Sequence, residues 1–299
     1  MFNLNIHEEV KDALAENRGV VALESTVIAH GLPTPVNIET TLAMMAAIRE
    51  QSAVPALIAI FDGQVIIGTS SALVERLADK KASIKKVSCR DIAYTIARKE
   101  SGATTVSATM TIAAMAGIRV FATGGIGGVH RHVESSMDIS ADLITLSRRP
   151  VAVVCAGAKS ILDVPKTLEM LETFGVPVVG FGTDYFPEFY SLSNNYRLHM
   201  RCDTPQSLSE VVRLHLSLGQ SGLVVAQPID EQLALPHALM EQHINEAIKK
   251  AERASVSGKD LTPFLLKEIA SITKEQSIKS NCALLINNAR LGAKIARLL

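Results

Sequence analysis

Apolar and polar positions alternate in two different rhythms along this chain. Short apolar runs occupy residues 19–23 (GVVAL), 55–61 (PALIAIF), 119–123 (RVFAT) and 150–156 (PVAVVCA). Others lie at 176–180 (VPVVG) and 222–226 (GLVVA), with shorter β-branched segments at 64–67 (QVII) and 84–87 (IKKV). Their length, their Val and Ile content and their Gly or Pro borders predict strands. Several are apolar at every position, as suits strands covered on both faces. Between them the rhythm changes to that of amphipathic helices, at residues 36–51, 70–78, 165–174 and 205–218. Beyond about residue 235 the strand pattern stops and three consecutive helices are predicted. Strands alternating with helices indicate an α/β protein. No Pro-, Gly- or Ser-rich linker, charge block or solenoid-like repeat divides residues 1–299, so a single domain is expected.

Charge removes several functions from consideration. The 30 Lys and Arg residues balance 30 Asp and Glu, so net charge favours neither a nucleic-acid surface nor an anionic membrane. With 47% hydrophobic and 20% charged residues among 299, the composition is that of a folded chain with a substantial core. A mean hydropathy of +0.23 makes a membrane span worth testing. The stretch in question is 102–118 (GATTVSATMTIAAMAGI), uncharged but dense in Thr, Ser and Gly. It falls short of the roughly 20 strongly apolar residues that a span requires, and a buried helix with small neighbours is predicted instead. The amphipathic, acidic N-terminus lacks the basic-then-apolar layout of a signal peptide. Cys89, Cys155, Cys202 and Cys282 lie far apart with no CxxC pair. That spacing suits reduced thiols in a cytoplasmic protein better than a disulfide frame or a zinc site.

In α/β proteins chemistry gathers beyond the C-terminal ends of strands. Glu24 follows the first long run directly, and desolvation there would raise its pKa toward use as a general acid. A helix cap or a lysine partner is the plain alternative. Lys86, in Lys85-Lys86-Val87-Ser88-Cys89-Arg90-Asp91, can hold a phosphate or carboxylate, although a solvated basic edge is the commoner use of such a run. Four glycines in Thr123-Gly124-Gly125-Ile126-Gly127-Gly128-Val129-His130-Arg131 would let backbone N–H groups cradle an anion, or simply turn the chain. The dinucleotide fingerprint is not met, because His130 stands at its last glycine position, and no P-loop Lys-Ser/Thr follows.

Asp138 and Asp142 would share a face if their segment is helical. With no cysteine or paired histidine nearby, they suit an oxygen-liganded Mn²⁺ or Mg²⁺ that keeps most of its waters; acids at a helix start are the alternative. Lys159 leaves a buried strand among small residues in Gly157-Ala158-Lys159-Ser160. A low dielectric there would favour a neutral amine able to form a Schiff base. Asn281 and Asn288 lie on one stripe of the last predicted helix with Leu284 and Leu285, where amides bond to backbone more often than to substrate. A lysine, an acid, an anion cradle and a hard-metal carboxylate together suggest chemistry on a phosphorylated carbonyl or sugar.

The set Leu23-Glu24-Ser25-Thr26 with Ala29-His30-Gly31, Lys86-Val87-Ser88, residues 121–131 (FATGGIGGVHR), Asp138-Ile139-Ser140-Ala141-Asp142-Leu143 and Cys155-Ala156-Gly157-Ala158-Lys159-Ser160 resembles the pseudouridine-5′-phosphate glycosidase family. An indigoidine-cluster relative shares that motif set. The resemblance continues in order through residues 175–180 (GVPVVG), Thr183-Asp184, Phe186-Pro187 and Asn287-Asn288-Ala289-Arg290-Leu291. It implies reversible cleavage of pseudouridine 5′-phosphate into uracil and ribose 5-phosphate, a divalent cation, usually Mn²⁺, and a homotrimer. By position it implies Lys159 as the nucleophile, Glu24 as the proton donor and Asp138 as the metal ligand. Lys86, Val106, Ser140, Ala141 and Asp142 match substrate-binding positions, and His130 and Asn281 are expected in the pocket. Cys89 stands where the resemblance predicts a basic residue.

The expected fold is a three-layer α/β/α arrangement with a central mixed, largely parallel sheet and a helical C-terminal extension. A Schiff-base aldolase or sugar-phosphate lyase would use the same lysine on a simpler substrate. A sugar-phosphate sensor would need neither Glu24 nor Lys159. The missing P-loop disfavours a kinase.

Overall fold

A computed structural model describes residues 3–299 except Thr69, Ser193, Ser257 and Lys274; Met1 and Phe2 of the acidic N-terminal stretch lie outside the described residues. The apolar runs become strands of one sheet. These are β1 (Leu4–Ile6), β2 (Val20–Leu23), β3 (Val54–Phe61), β4 (Gln64–Gly68), β5 (Ile84–Val87) and β6 (Ser101–Thr104). They continue as β7 (Val120–Ala122), β8 (Ala152–Cys155), β9 (Val178–Phe181), β10 (Met200–Cys202) and β11 (Leu223–Ala226). The main path runs β1-β4-β3-β2-β7-β8-β11-β9-β10, with β6 beside β3 and β5 beside β6. Pairings are parallel except β3 with β4 and β3 with β6. Every residue of β2, β3, β8 and β11 is buried, as their unbroken apolar character predicts.

Parallel neighbours need crossover helices, and these flank the sheet. They are α1 (Glu8–Ala15), α2 (Val36–Glu50), α3 (Ser71–Ala78), α4 (Ile92–Ala97), α5 (Val106–Met115), α6 (Val133–Ser136), α7 (Ala141–Leu146), α8 (Val164–Thr173) and α9 (Pro205–Ser217). Local chemistry sets several starts. Ser70, Asp163 and Thr204 accept backbone N–H groups at the first turns of α3, α8 and α9, and proline stands second in α8 and first in α9. The three helices expected after residue 235 are α10 (His237–Arg253), α11 (Leu261–Ile272) and α12 (Gln276–Ala296). α12 lies across β2, β7 and β8 and packs on α2 and α9, so it helps cover the sheet. Among the described residues no helix is long and apolar enough to cross a membrane. The four cysteines are all free.

One prediction is corrected. Residues 102–118 are not one helix, because Ser101–Thr104 forms β6 and only Val106–Met115 is helical. The glycine shows why: a Cβ on Gly102 would stand 2.3 Å from the Val87 side chain, so β6 packs against β5 too closely for any larger residue. β1 and β10, at the two ends of the path, escaped notice because three residues carry too little periodicity to read.

β2 and β6 share one edge of β3 and run toward each other. Leu23 pairs with Leu57, and Ala103 with Ala59. Where they meet, the Ser25 N–H donates to the Thr104 carbonyl at 3.3 Å, and the Thr104 N–H donates to Ser25 Oγ at 2.7 Å. Both chains must leave the sheet at this junction. The C-terminal ends of β7 and β8 lie on the same side, and the space between them is the site.

Candidate active site

The strand ends surround a cavity of about 270 Å³, close to the lower limit of the roughly 300–1,000 Å³ usual for small-molecule sites. Every catalytic, substrate and metal position implied by the resemblance lines it, and Asn288 does not. Glu24 follows β2, Lys86 lies in β5, Val106 opens α5 just after β6, and Lys159 follows β8. His130, Asp138, Ser140, Ala141 and Asp142 come from the connection between β7 and the start of α7, and Asn281 comes from α12.

Glu24 is buried where β2 ends. Burial pushes its carboxyl above the usual value; Lys159, the Thr123 hydroxyl and Lys86 oppose that rise, and Asp142 adds to it. The net direction is the one a general acid needs. Thr123 Oγ1 donates to Glu24 Oε1 at 2.5 Å. The Thr123 carbonyl in turn accepts from Asn288 Nδ2 at 2.8 Å. Asn288 therefore follows the commoner use of a buried amide, whereas Asn281 reaches the cavity.

Lys159 rides on a segment stitched to the glycine-rich loop. Its N–H donates to the Ile126 carbonyl at 3.0 Å, the Ile126 N–H to the Gly157 carbonyl at 3.0 Å, and the Ala156 N–H to the Gly124 carbonyl at 2.8 Å. Gly157 has φ +80°, and a Cβ there would fall 2.0 Å from the Pro187 carbonyl oxygen, so only glycine serves. Lys159 is half-buried, and its surroundings are more charged than its small neighbours in sequence implied. It acts electrostatically on both Glu24 and Lys86. Burial pushes the Lys86 ammonium down and Lys159 adds to that, against Asp142, Glu24 and Asp260.

The glycine-rich loop differs from the open anion cradle its sequence suggested. The N–H groups of Ile126 and His130 go to the carbonyls of Gly157 and Asp138, each at 3.0 Å. Those of Gly127 and Val129 go to Asp142 Oδ2 at 2.8 Å and Thr167 Oγ1 at 3.0 Å. Four donors are therefore committed inside the protein. The glycines provide room, since a Cβ on Gly127 would lie 2.3 Å from Ser140 Oγ.

Asp138 and Asp142 do not share a helical face. Asp138 lies in the link between α6 and α7, while Asp142 is in the first turn of α7. Both Asp142 oxygens accept backbone N–H groups, from Ser107 at 2.9 Å and from Gly127 at 2.8 Å. This carboxylate thereby ties the start of α5 to the glycine-rich loop. Burial pushes the His130 imidazole down, and Asp138 opposes that while Lys159 and Lys86 add to it. Among the described residues no three His, Cys, Asp or Glu side chains converge as a metal-ligand set. Asp138, as a lone carboxylate ligand on the cavity wall, suits a hard cation that keeps most of its water.

Residues 9–298 match the family described as indigoidine synthase A like protein. The chain belongs to that family. The indigoidine synthase A-like chain is 51% identical over 294 residues to a pseudouridine-5′-phosphate glycosidase of Caldanaerobacter subterraneus, covering 98% of this chain and 95% of the relative. It is 50% identical over 290 residues to the Staphylococcus aureus protein of the same name, covering 96% and 94%. Its structure is similar to that of the prealnumycin C-glycosynthase AlnA in complex with ribulose 5-phosphate, with a TM-score of 0.90, 38% identity and coverage of 99% and 96%. An indigoidine synthase A-like protein of Thermotoga maritima superposes with a TM-score of 0.89 at 33% identity, covering 99% and 96%.

Some cavity residues of this indigoidine synthase A-like chain had no assigned role in the sequence reading. Thr123 and His30 stood inside recognised motifs, yet nothing local marked them as partners of an acid or a cavity. Thr262, Pro263 and Leu266 of α11 also line the cavity, far along the chain from the strand ends. Ser88 and Arg90 line it too, while the intervening Cys89 turns its sulfur to the Thr145 hydroxyl at 3.6 Å. Cys89 itself is not part of the cavity wall.

Proposed function

We propose that this chain is a pseudouridine-5′-phosphate glycosidase, which cleaves pseudouridine 5′-phosphate reversibly to uracil and ribose 5-phosphate. The observation that carries this reading is Glu24, a buried acid with a raised pKa, sharing one cavity with the amine of Lys159. The glycosidases at 51% and 50% identity support the substrate. The ribulose 5-phosphate held by AlnA is a pentose 5-phosphate, the class of the proposed product.

The bond to be cut joins ribose C1′ to C5 of uracil. A carbon leaving group has no lone pair to protonate, so two-carboxylate glycosidase chemistry fits poorly. An amine offers another route. Lys159 Nζ adds to C1′ as the C1′–O4′ bond opens and O4′ takes a proton. C5 of uracil then takes the Glu24 proton. The C1′–C5 bonding pair restores the ring double bond, while the nitrogen lone pair forms an iminium at C1′. Water adds to the iminium, releasing ribose 5-phosphate and free Lys159.

The phosphate supplies remote binding energy that holds C1′ against the amine. With four of the loop N–H groups committed elsewhere, that grip is assigned chiefly to side chains: Lys86, His130 and Ser140. Val106 and Ala141 furnish apolar wall, Asn281 offers an amide, and Asp142 holds the walls together. A divalent cation, Mn²⁺ by family resemblance, would be held at Asp138 and would supply positive charge to the phosphate through its waters. The same resemblance carries a homotrimer, three times 32.1 kDa in sedimentation, and the free cysteines suit a cytoplasmic setting.

The test is chromatography of pseudouridine 5′-phosphate incubated with protein and Mn²⁺, beside a borohydride-treated sample. Uracil and a reduced pentose-phosphate adduct on Lys159 are expected, both lost in a folded Lys159→Ala variant. No uracil, together with no synthesis from uracil and ribose 5-phosphate, would overturn the substrate. Normal turnover by Lys159→Ala would overturn the nucleophile.

A further inference from the structure

Arg131 closes the glycine-rich loop, directly after His130, yet it does not line the cavity. Its guanidinium reaches two other parts of the chain. Nη2 donates to the carbonyl of Ser160, the residue after Lys159, at 3.2 Å. The same Nη2 donates to Glu241 Oε1 at 2.7 Å, and Nη1 donates to Glu241 Oε2 at 2.9 Å. Nη1 also donates to Asn245 Oδ1 at 3.4 Å, one turn further along α10. Paired bonds between a guanidinium and a carboxylate fix orientation as well as distance. They hold the Glu241 carboxyl below its usual value; burial opposes them and His237 adds to them.

The carbonyl that Arg131 engages belongs to the turn that presents Lys159. Both flanks of that turn are pinned to the glycine-rich loop, Ala158 opposite Ile126 and Leu162 opposite His130. The Leu162 N–H donates back to the Lys159 carbonyl at 3.0 Å. Ser160 stands inside the turn, and Arg131 ties it to α10. One turn earlier on α10, His237 Nε2 meets Glu188 Oε2 at 2.8 Å, and Glu188 bridges Gly157. Helix α10 therefore grips the Lys159 segment at two points, at Gly157 through Glu188 and at Ser160 through Arg131. An exposed ion pair contributes little, but here the two side chains are only 21% and 34% exposed.

We propose that Arg131 is a positioning residue for the reaction: held by Glu241, it fixes the backbone beside Lys159 so that Nζ stands at attack distance from the sugar carbon. This rests on the reading of Lys159 as the nucleophile. A displaced amine costs rate more than affinity, because substrate is held by other groups on the cavity wall. Lysine is a poor substitute for Arg131, since one ammonium cannot keep both carboxylate bonds and the carbonyl bond in the same planar geometry.

The experiment measures kcat and KM for pseudouridine 5′-phosphate, and the rate of borohydride-trapped adduct formation with saturating ribose 5-phosphate. It compares wild type with Arg131→Ala, Arg131→Lys, Glu241→Gln and the Arg131→Ala/Glu241→Gln double variant. Arg131→Ala should lower kcat and the trapping rate by roughly tenfold to a hundredfold, while KM stays within about threefold of wild type. Arg131→Lys should recover part of the loss, and Glu241→Gln, which loosens the guanidinium, should lose less than Arg131→Ala. The double variant should be no slower than Arg131→Ala, because Glu241 acts through Arg131. A role in stability alone would lower the melting temperature and leave kcat per folded molecule unchanged. If Arg131→Ala fails to fold, Glu241→Gln decides by the same two rates. Unchanged kcat per folded molecule, a loss confined to KM, or additive losses in the double variant would overturn the positioning role. A wild-type enzyme that turns over but gives no adduct on Lys159 would instead overturn the nucleophile reading, and the positioning role with it.

Discussion

Thr123 donates its hydroxyl hydrogen to Glu24 Oε1 across 2.5 Å, linking the ends of the neighbouring strands β7 and β2. The bond orients a buried carboxyl and favours its ionised form, so it opposes the rise in pKa that burial causes. Thr123→Val keeps the shape and removes the donor. Turnover should fall by roughly tenfold to a hundredfold, less than the 10²–10⁴ ascribed to a general acid as a whole. The pKa should rise further, moving the alkaline limb of the pH–kcat profile upward. A limb that stays in place would separate Thr123 from the acid.

Stability should carry the mark of the same carboxyl. Folding raises the Glu24 pKa, so the folded state binds more protons than the unfolded chain between the two pKa values. Its contribution is fully present below the unfolded value and is lost as pH rises through the folded one. Glu24→Gln cannot ionise and should be more stable than wild type at neutral and alkaline pH, with the advantage shrinking toward acid. Thermal melts of both proteins across pH measure this. A constant difference at all pH values would contradict it.

Asp142 should behave as a positioning residue as well as a wall of the cavity. Its two oxygens serve the N–H groups of Ser107 and Gly127, and an asparagine can offer an acceptor to only one of them. Asp142→Asn should cost about 1–3 kcal/mol of stability and raise KM as the glycine-rich loop loosens from α5. Denaturant titration with steady-state kinetics tests both. Unchanged stability with a raised KM would assign it to substrate contact alone.

Asp138 should govern the response to metal. It is half-buried in a link between helices, so Asp138→Ala should fold normally while the Mn²⁺ concentration for half-maximal activity rises by roughly tenfold or more. An unchanged Mn²⁺ titration would remove it as the ligand.

Much of the site was legible because it lies where strands end. Glu24 follows an apolar run directly and Lys159 follows one after Gly157-Ala158, and an ionisable residue in that place stands out against the core around it. The glycine-rich loop was legible as a place but not as a device. Its partners Thr167, Asp142 and Gly157 come from other segments, and only their arrival shows that several of the N–H groups are already used. The helix on which Asp138 and Asp142 would share a face is not formed, because Ile139 bridges Val129 and Ser140 is the extended N-cap of α7, and a four-residue spacing carries no sign of that.

The sequence by itself determined the alternation of buried strands with amphipathic helices and the set of polar residues at strand ends. Both follow from local rules, the burial of apolar side chains and the period of each element. Only the tertiary structure decided that β6 meets β2 head to head along β3, dividing the stretch 102–118. It alone brought the start of α11 to the cavity. Periodicity reports whether a residue is buried. What it meets there depends on which distant segment becomes its neighbour.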